Sequence, residues 1–144
     1  KIHSYKSTDI GIAVAIDNGL ITPIIRSVEK KGLLEIRDET SDLIARAREK
    51  KLLPSEYQGG TISISNLGSY GIKSFTSIIN PPQSSILSIG ASRKVPVVLD
   101  DAINIDELIS ITLTADHRLI DGAVGAKFIA HMKQLIENPN LMLL

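Results

Sequence analysis

Cysteine is absent from the 144 residues, which excludes disulfides, thiolate metal sites and a cysteine nucleophile in this chain. Any thiol that its chemistry requires must come from a substrate. A charge excess is missing too: 16 Lys and Arg balance 16 Asp and Glu, leaving no basic field to draw nucleic acid or an anionic membrane surface. Long apolar runs are lacking. The longest, such as Val95 to Leu99, fall far short of the ~20 residues that span a bilayer. There is no internal repeat, low-complexity tract or charge block, so neither a disordered tail nor an internal linker is expected. No histidine and carboxylate cluster has metal-ligand spacing, and no metal is expected. The glycines of Gly68 to Ser74 (GSYGIKS) are spaced wrongly for a phosphate-binding loop, and Lys73 does not follow a glycine.

What is present suits one domain, or part of one. No Met opens the chain, and a strand-like pattern begins within ten residues, so the start is expected to lie inside a larger protein. Ile10 to Ile16 alternates Ile or Val with Gly and Ala, which predicts a strand covered on both faces. Asn18-Gly19 predicts a tight turn into Leu20 to Ile25. Leu33, Ile36, Leu43, Ile44 and Ala47 form one stripe of a helix predicted over Lys30 to Leu52, closed by Pro54. Thr61 to Ser65 alternates as a strand, and Asn66 to Gly71 predicts an irregular connection. Three further strands are predicted at Ser85 to Gly90, Val95 to Leu99 and Glu107 to Thr114, with a turn at Asp100-Asp101. A last helix over Asp121 to Asn138 places Val124, Phe128, Ile129, Met132, Leu135 and Ile136 on a stripe expected to pack on that sheet. The apolar tail Leu141 to Leu144 is expected to dock on something. The fold class is α/β: two layers, a mixed sheet with packed helices.

Of three histidines, His117 has chemical context, because it falls between a predicted strand and the last helix, where loops held by rigid elements favour catalytic groups. His3 sits near the start and His131 faces away from the helical stripe. Asp121, four residues later and just before Gly122, reads both as a helix N-cap and as a residue ordering the His117 loop. Arg118 is either a solvated loop charge or a partner for Asp121. Ser65, ahead of Asn66 and Gly68, reads on its own as a turn former.

The stretch Ala115 to Ala123 (ADHRLIDGA) resembles the D-H-R-x-x-D-G signature of the dihydrolipoamide acyltransferases, the core subunits of 2-oxo acid dehydrogenase complexes. Asn18 to Pro23 (NGLITP), Gln58 to Thr61 (QGGT), Ile64 to Gly68 (ISNLG), Ile79 to Gln83 (INPPQ) and Met142 to Leu144 (MLL) resemble family blocks in the family's order. The resemblance covers essentially the whole chain. It implies a chloramphenicol-acetyltransferase-like, coenzyme A-dependent acyltransferase fold, with residues 1–144 as the carboxy-terminal portion of the catalytic domain and the lipoyl and peripheral-subunit-binding domains absent. It implies transfer of an acyl group between a dihydrolipoyl thiol and coenzyme A, the lipoate being carried on a domain outside this chain. His117 is then the base, Ser65 the oxyanion donor and Asp121 the carboxylate holding the loop.

Trimers assembling into a core of 24 or 60 subunits follow from the same resemblance, with Ser65 of one chain facing His117 of the next. The 2-oxo acid dehydrogenase and dihydrolipoamide dehydrogenase subunits are the implied partners. The setting is the cytoplasm of a bacterium, or else the mitochondrial matrix. The Ser65 to Gly68 and Asn80 to Gln83 wording is closer to the acetyl-transferring pyruvate dehydrogenase branch than to the succinyl-transferring one. A chloramphenicol-type acetyltransferase would carry a second histidine before His117, where Asp116 stands. A core component without activity would be expected to have lost His117 or Ser65.

Overall fold

The computed structural model describes residues 2–17 and 19–143. Five strands make the central sheet: β1 (Ile10–Ile12), β4 (Ile24–Ile25), β5 (Ile62–Asn66), β6 (Ser85–Ile89) and β9 (Ile111–Ala115), in the order β4-β1-β5-β6-β9. The β1-β5 and β5-β6 pairs are parallel and the two outer pairs antiparallel, so the sheet is mixed. Because side chains alternate along a strand, the register sorts its two faces. Ile10, Ile12, Ile62, Ile64, Leu87, Ile89, Ile111 and Leu113 share one face with Asn66 at its end, and Gly11, Ser63, Ser65, Ser88, Thr112 and Thr114 share the other with the buried Ile86.

The apolar face carries both helices, α1 (Leu33–Arg48) and α2 (Gly122–Glu137). Helix α1 sets Ile36 and Thr40 beside Ile10, Ile12 and Ile64; α2 brings Val124, Gly125 and Phe128 beside Ile62 and Leu113. On the small, hydroxyl-bearing face lies the extended segment 72–84. Ala91 N donates to Ile72 O at 2.7 Å, and a Cβ at Gly90 would fall 2.0 Å from Lys73 O. Only a residue without a side chain permits that approach.

Three sequence expectations are corrected. The run Ile10 to Ile16 is two strands, because after Ala13 N donates to Ile64 O the chain peels off the sheet and β2 (Val14–Ile16) pairs only with β3 (Gly19–Ile21). Of the predicted turn between these strands, Asn18 lies outside the described residues. The run Glu107 to Thr114 joins the end of β8 (Ala102–Leu108) to β9, with a break at Ile109 and Ser110. Strand β8 pairs with β7 (Arg93–Leu99) in a separate two-stranded ribbon, turning through Asp100 and Asp101 at φ 49 and 61. Pro96 sits in that ribbon, where a residue lacking an N–H costs less than within a wide sheet. The stripe of α2 is only partly covered: Val124, Phe128 and Ile136 are 54%, 45% and 46% exposed. Helix α2 lies over β9, an edge strand, so one side of its stripe overhangs. Leu141 and Met142 of the tail also stay about half exposed on this chain; Leu144 lies outside the described residues.

Helix α1 is tied to the turn after it by charge. Arg46 donates from Nη1 and Nη2 to the two Glu56 oxygens at 2.7 Å each and from Nε to Asp42 at 2.8 Å. Glu56 also accepts from Leu53 N at 2.8 Å. These bonds, the guanidinium's first, hold the Glu56 carboxyl at about 2, below its ordinary 4.5. A folded-state pKa below the unfolded one adds stability that is complete above about pH 4.5 and is lost as pH falls toward about 2. Glu56→Gln should therefore flatten the fall of Tm across that window, followed by thermal denaturation at stepped pH. An acid slope identical to that of the parent would show that the pair contributes nothing to it.

Candidate active site

His117 stands at the apex of a short turn built by its neighbours. Asp116 N donates to Ser84 O at 2.8 Å, anchoring the end of β9 to the residue before β6, and Asp116 O accepts from Leu119 N and Ile120 N at 2.9 Å each. The Asp116 carboxylate accepts from Arg118 N at 3.0 Å, from Nε at 2.9 Å and from Nη2 at 2.6 Å. The guanidinium holds that carboxyl at about 2, so it is ionised throughout the neutral range. Arg118 is thus a solvated loop charge, its side chain 88% exposed, and its partner is Asp116 rather than Asp121. The Asp116–Arg118 clamp was missed in the sequence, where its signal was a short polar side chain followed by a turn.

Asp121 is the N-cap of α2: its Oδ1 accepts from Val124 N at 2.8 Å, and its carbonyl accepts from Gly125 N at 3.0 Å. Among the described residues the His117 ring makes no hydrogen bond. It is exposed and, with Asp121, Gly122, Ile120 and Leu113, lines an open cavity of about 480 Å³ between β9 and the first turns of α2. His3 and His131 are exposed and line none of the cavities described.

Ser65 lies elsewhere. It pairs with Ser88 on β6, which in turn pairs with Thr112 on β9. From Thr112 to Asp116 the chain advances about 13 Å at ~3.3 Å per residue, and two strand spacings of ~4.8 Å separate β5 from β9 laterally. The backbone at His117 is therefore on the order of 16 Å from Ser65 in the same chain, beyond the reach of the two side chains. A single chain brings His117 and Asp121 to one cavity and leaves Ser65 at the other end of the sheet.

The chain with this helix–sheet layering, mixed five-stranded sheet and exposed histidine ahead of a capped helix matches, over the whole of residues 1–144, the family of 2-oxoacid dehydrogenases acyltransferase (catalytic domain), a class of acyltransferase catalytic domains. The chain belongs to that family. It is 54% identical over 143 residues to the dihydrolipoyllysine-residue acetyltransferase component of the pyruvate dehydrogenase complex of Rickettsia bellii, covering 99% of this chain and 34% of that protein. To the mitochondrial component of Neurospora crassa it is 48% identical over 149 residues, covering 99% and 32%. The chain thus spans about a third of the length of these curated relatives.

Among solved structures, dihydrolipoamide acetyltransferase of Azotobacter vinelandii superposes with a TM-score of 0.93 at 36% identity, over 97% of this chain and 58% of that one. That structure concerns the role of a serine, a histidine and an asparagine in catalysis. The cubic core of a pyruvate dehydrogenase multienzyme complex superposes equally well, with the same identity and coverage. The fold expected from the resemblance, chloramphenicol-acetyltransferase-like with a mixed sheet and packed helices, is the one observed.

Proposed function

We propose that this chain is the carboxy-terminal portion of a catalytic domain that transfers an acetyl group between a dihydrolipoyl thiol and coenzyme A, within the core of a pyruvate dehydrogenase complex. The observation that carries the reading is the exposed His117 over an open cavity, held on a clamped turn and a capped helix. The serine, histidine and asparagine of the Azotobacter enzyme are separated by the same intervals as Ser65, His117 and Asp121 here, which supports assigning the roles to these three. The curated relatives named above are acetyltransferase components, which favours acetyl among acyl groups.

A neutral thiol is a poor nucleophile. His117 takes the thiol proton as sulfur attacks the thioester carbonyl, forming one carbon–sulfur bond and placing charge on the carbonyl oxygen. The hydroxyl of Ser65, supplied by a neighbouring copy, donates to that oxyanion. Collapse expels the second sulfur as thiolate, which takes the proton back from the imidazolium. The acyl group has moved and no net proton is released. Asp121 acts by fixing where α2 starts and so where the His117 turn ends. Asp121→Asn keeps an oxygen acceptor at the cap and should leave activity and Tm near those of the parent. Asp121→Ala should cost about 1 kcal/mol of stability by denaturant unfolding, and equal losses in both variants would mean that the cap is not what matters.

The test of the function is thiol release with acetyl-CoA, succinyl-CoA and branched-chain acyl-CoA as donors to dihydrolipoamide, on the full-length protein. Acetyl should be preferred. Inactivity with all three would leave a core component without chemistry.

A further inference from the structure

Two sequence blocks that the mechanism leaves unused, Gln58 to Thr61 and Ile79 to Gln83, meet at one buried side chain. Gln83 is 6% exposed and Ser63 1%. The Ser63 hydroxyl donates to Gln83 Oε1, and Gln83 Nε2 donates to Gly59 O at 3.1 Å. The backbone of Gln83 closes its own turn, N to Asn80 O at 3.0 Å. The surrounding backbone leaves room for this amide. A Cβ on Gly60, at φ +87, would lie 2.6 Å from Gln83 Nε2, and one on Gly11 would lie 2.9 Å from Ser63 Oγ. One amide therefore braces three segments: the loop entering β5, β5 itself and the turn entering β6.

Ser65 is two residues beyond Ser63, on the same face of β5. Its cross-strand neighbour Ser88 is tied as well, its hydroxyl 2.7 Å from that of Ser77. An oxyanion donor is effective only if held within about 0.5 Å of its working position. We propose that Gln83 is a positioning residue for the reaction, its amide setting β5 so that the Ser65 hydroxyl is already in place when charge develops. This rests on the reading of Ser65 given above.

The experiment is a double-mutant cycle on the full-length, assembled protein. Gln83→Met keeps the volume and removes both amide bonds. It should lower kcat by about 10- to 100-fold, the scale of a misplaced catalytic group, with KM for both substrates within about twofold. In a Ser65→Ala background the same change should lower kcat no further than about twofold, because the hydroxyl it positions is gone. A purely structural role would cost the same factor in both backgrounds and would overturn the proposal, as would an unchanged kcat in Gln83→Met alone. Should Gln83→Met fail to assemble, Ser63→Ala cuts the bond nearest β5 and carries the same test with the same two outcomes. If Ser65→Ala alone leaves kcat intact, the fault lies in the site assignment rather than in Gln83.

Discussion

Replacement of His117 by alanine in the full-length protein is expected to lower kcat for acetyl transfer by about 10³- to 10⁴-fold, the upper part of the range for removing a general base. A thiol with pKa near 8.5 is only a few per cent ionised at pH 7; the chain has no cysteine, and among the described residues no second histidine lines the cavity of His117. The pH profile separates loss of the base from loss of fold. Without His117 the substrate must ionise unaided, so the residual rate should climb about tenfold per pH unit until the thiol's own pKa is reached. The protein-free exchange climbs in the same way, so a folded variant is the one whose rate stays above that background at every pH, and a misfolded one adds nothing to it. His131→Ala, on the exposed side of α2, should stay within about twofold of the parent. A loss at His117 below about tenfold, with the parent's pH profile, would remove His117 from the mechanism.

Elements with a strong local signal were legible from residues alone. The cap at Asp121 and the stop at Asn138 bound α2 as expected, and Asp100-Asp101 marks the hairpin turn. What failed depended on which strand pairs with which. Ile10 to Ile16 reads as one strand because alternation says nothing about Ala13, where the chain leaves one sheet for another. Glu107 to Thr114 reads as one strand because the break at Ile109 and Ser110 lacks a glycine or proline. The site divided in the same way. His117 stood out through its loop and its motif, whereas the Asp116–Arg118 clamp is a local turn contact without periodicity and the Gln83 brace is tertiary. Ser65 had no chemical signal of its own and was found only through resemblance; the register then places it far from His117.

That separation yields the second large effect. Ser65→Ala should lower kcat by about 10²- to 10³-fold through loss of an oxyanion donor, and a core made only of Ser65→Ala or only of His117→Ala chains should be nearly inactive. Co-assembling the two variants in equal amounts should restore about a quarter of the parent's activity. If Ser65 is supplied by a neighbouring copy, as proposed, each site of a cyclic oligomer draws one residue from each of two neighbours. With random mixing, half the chains offer an intact His117 and half of the facing chains an intact Ser65, so about one site in four has both. If the two residues instead worked within one chain, every chain would lack one of them and mixing would restore nothing. Activity from the mixture thus measures whether the ~16 Å gap within a chain is closed by a neighbour. A mixture no more active than its components would overturn the shared site: either the two residues work within one chain or Ser65 is not the oxyanion donor.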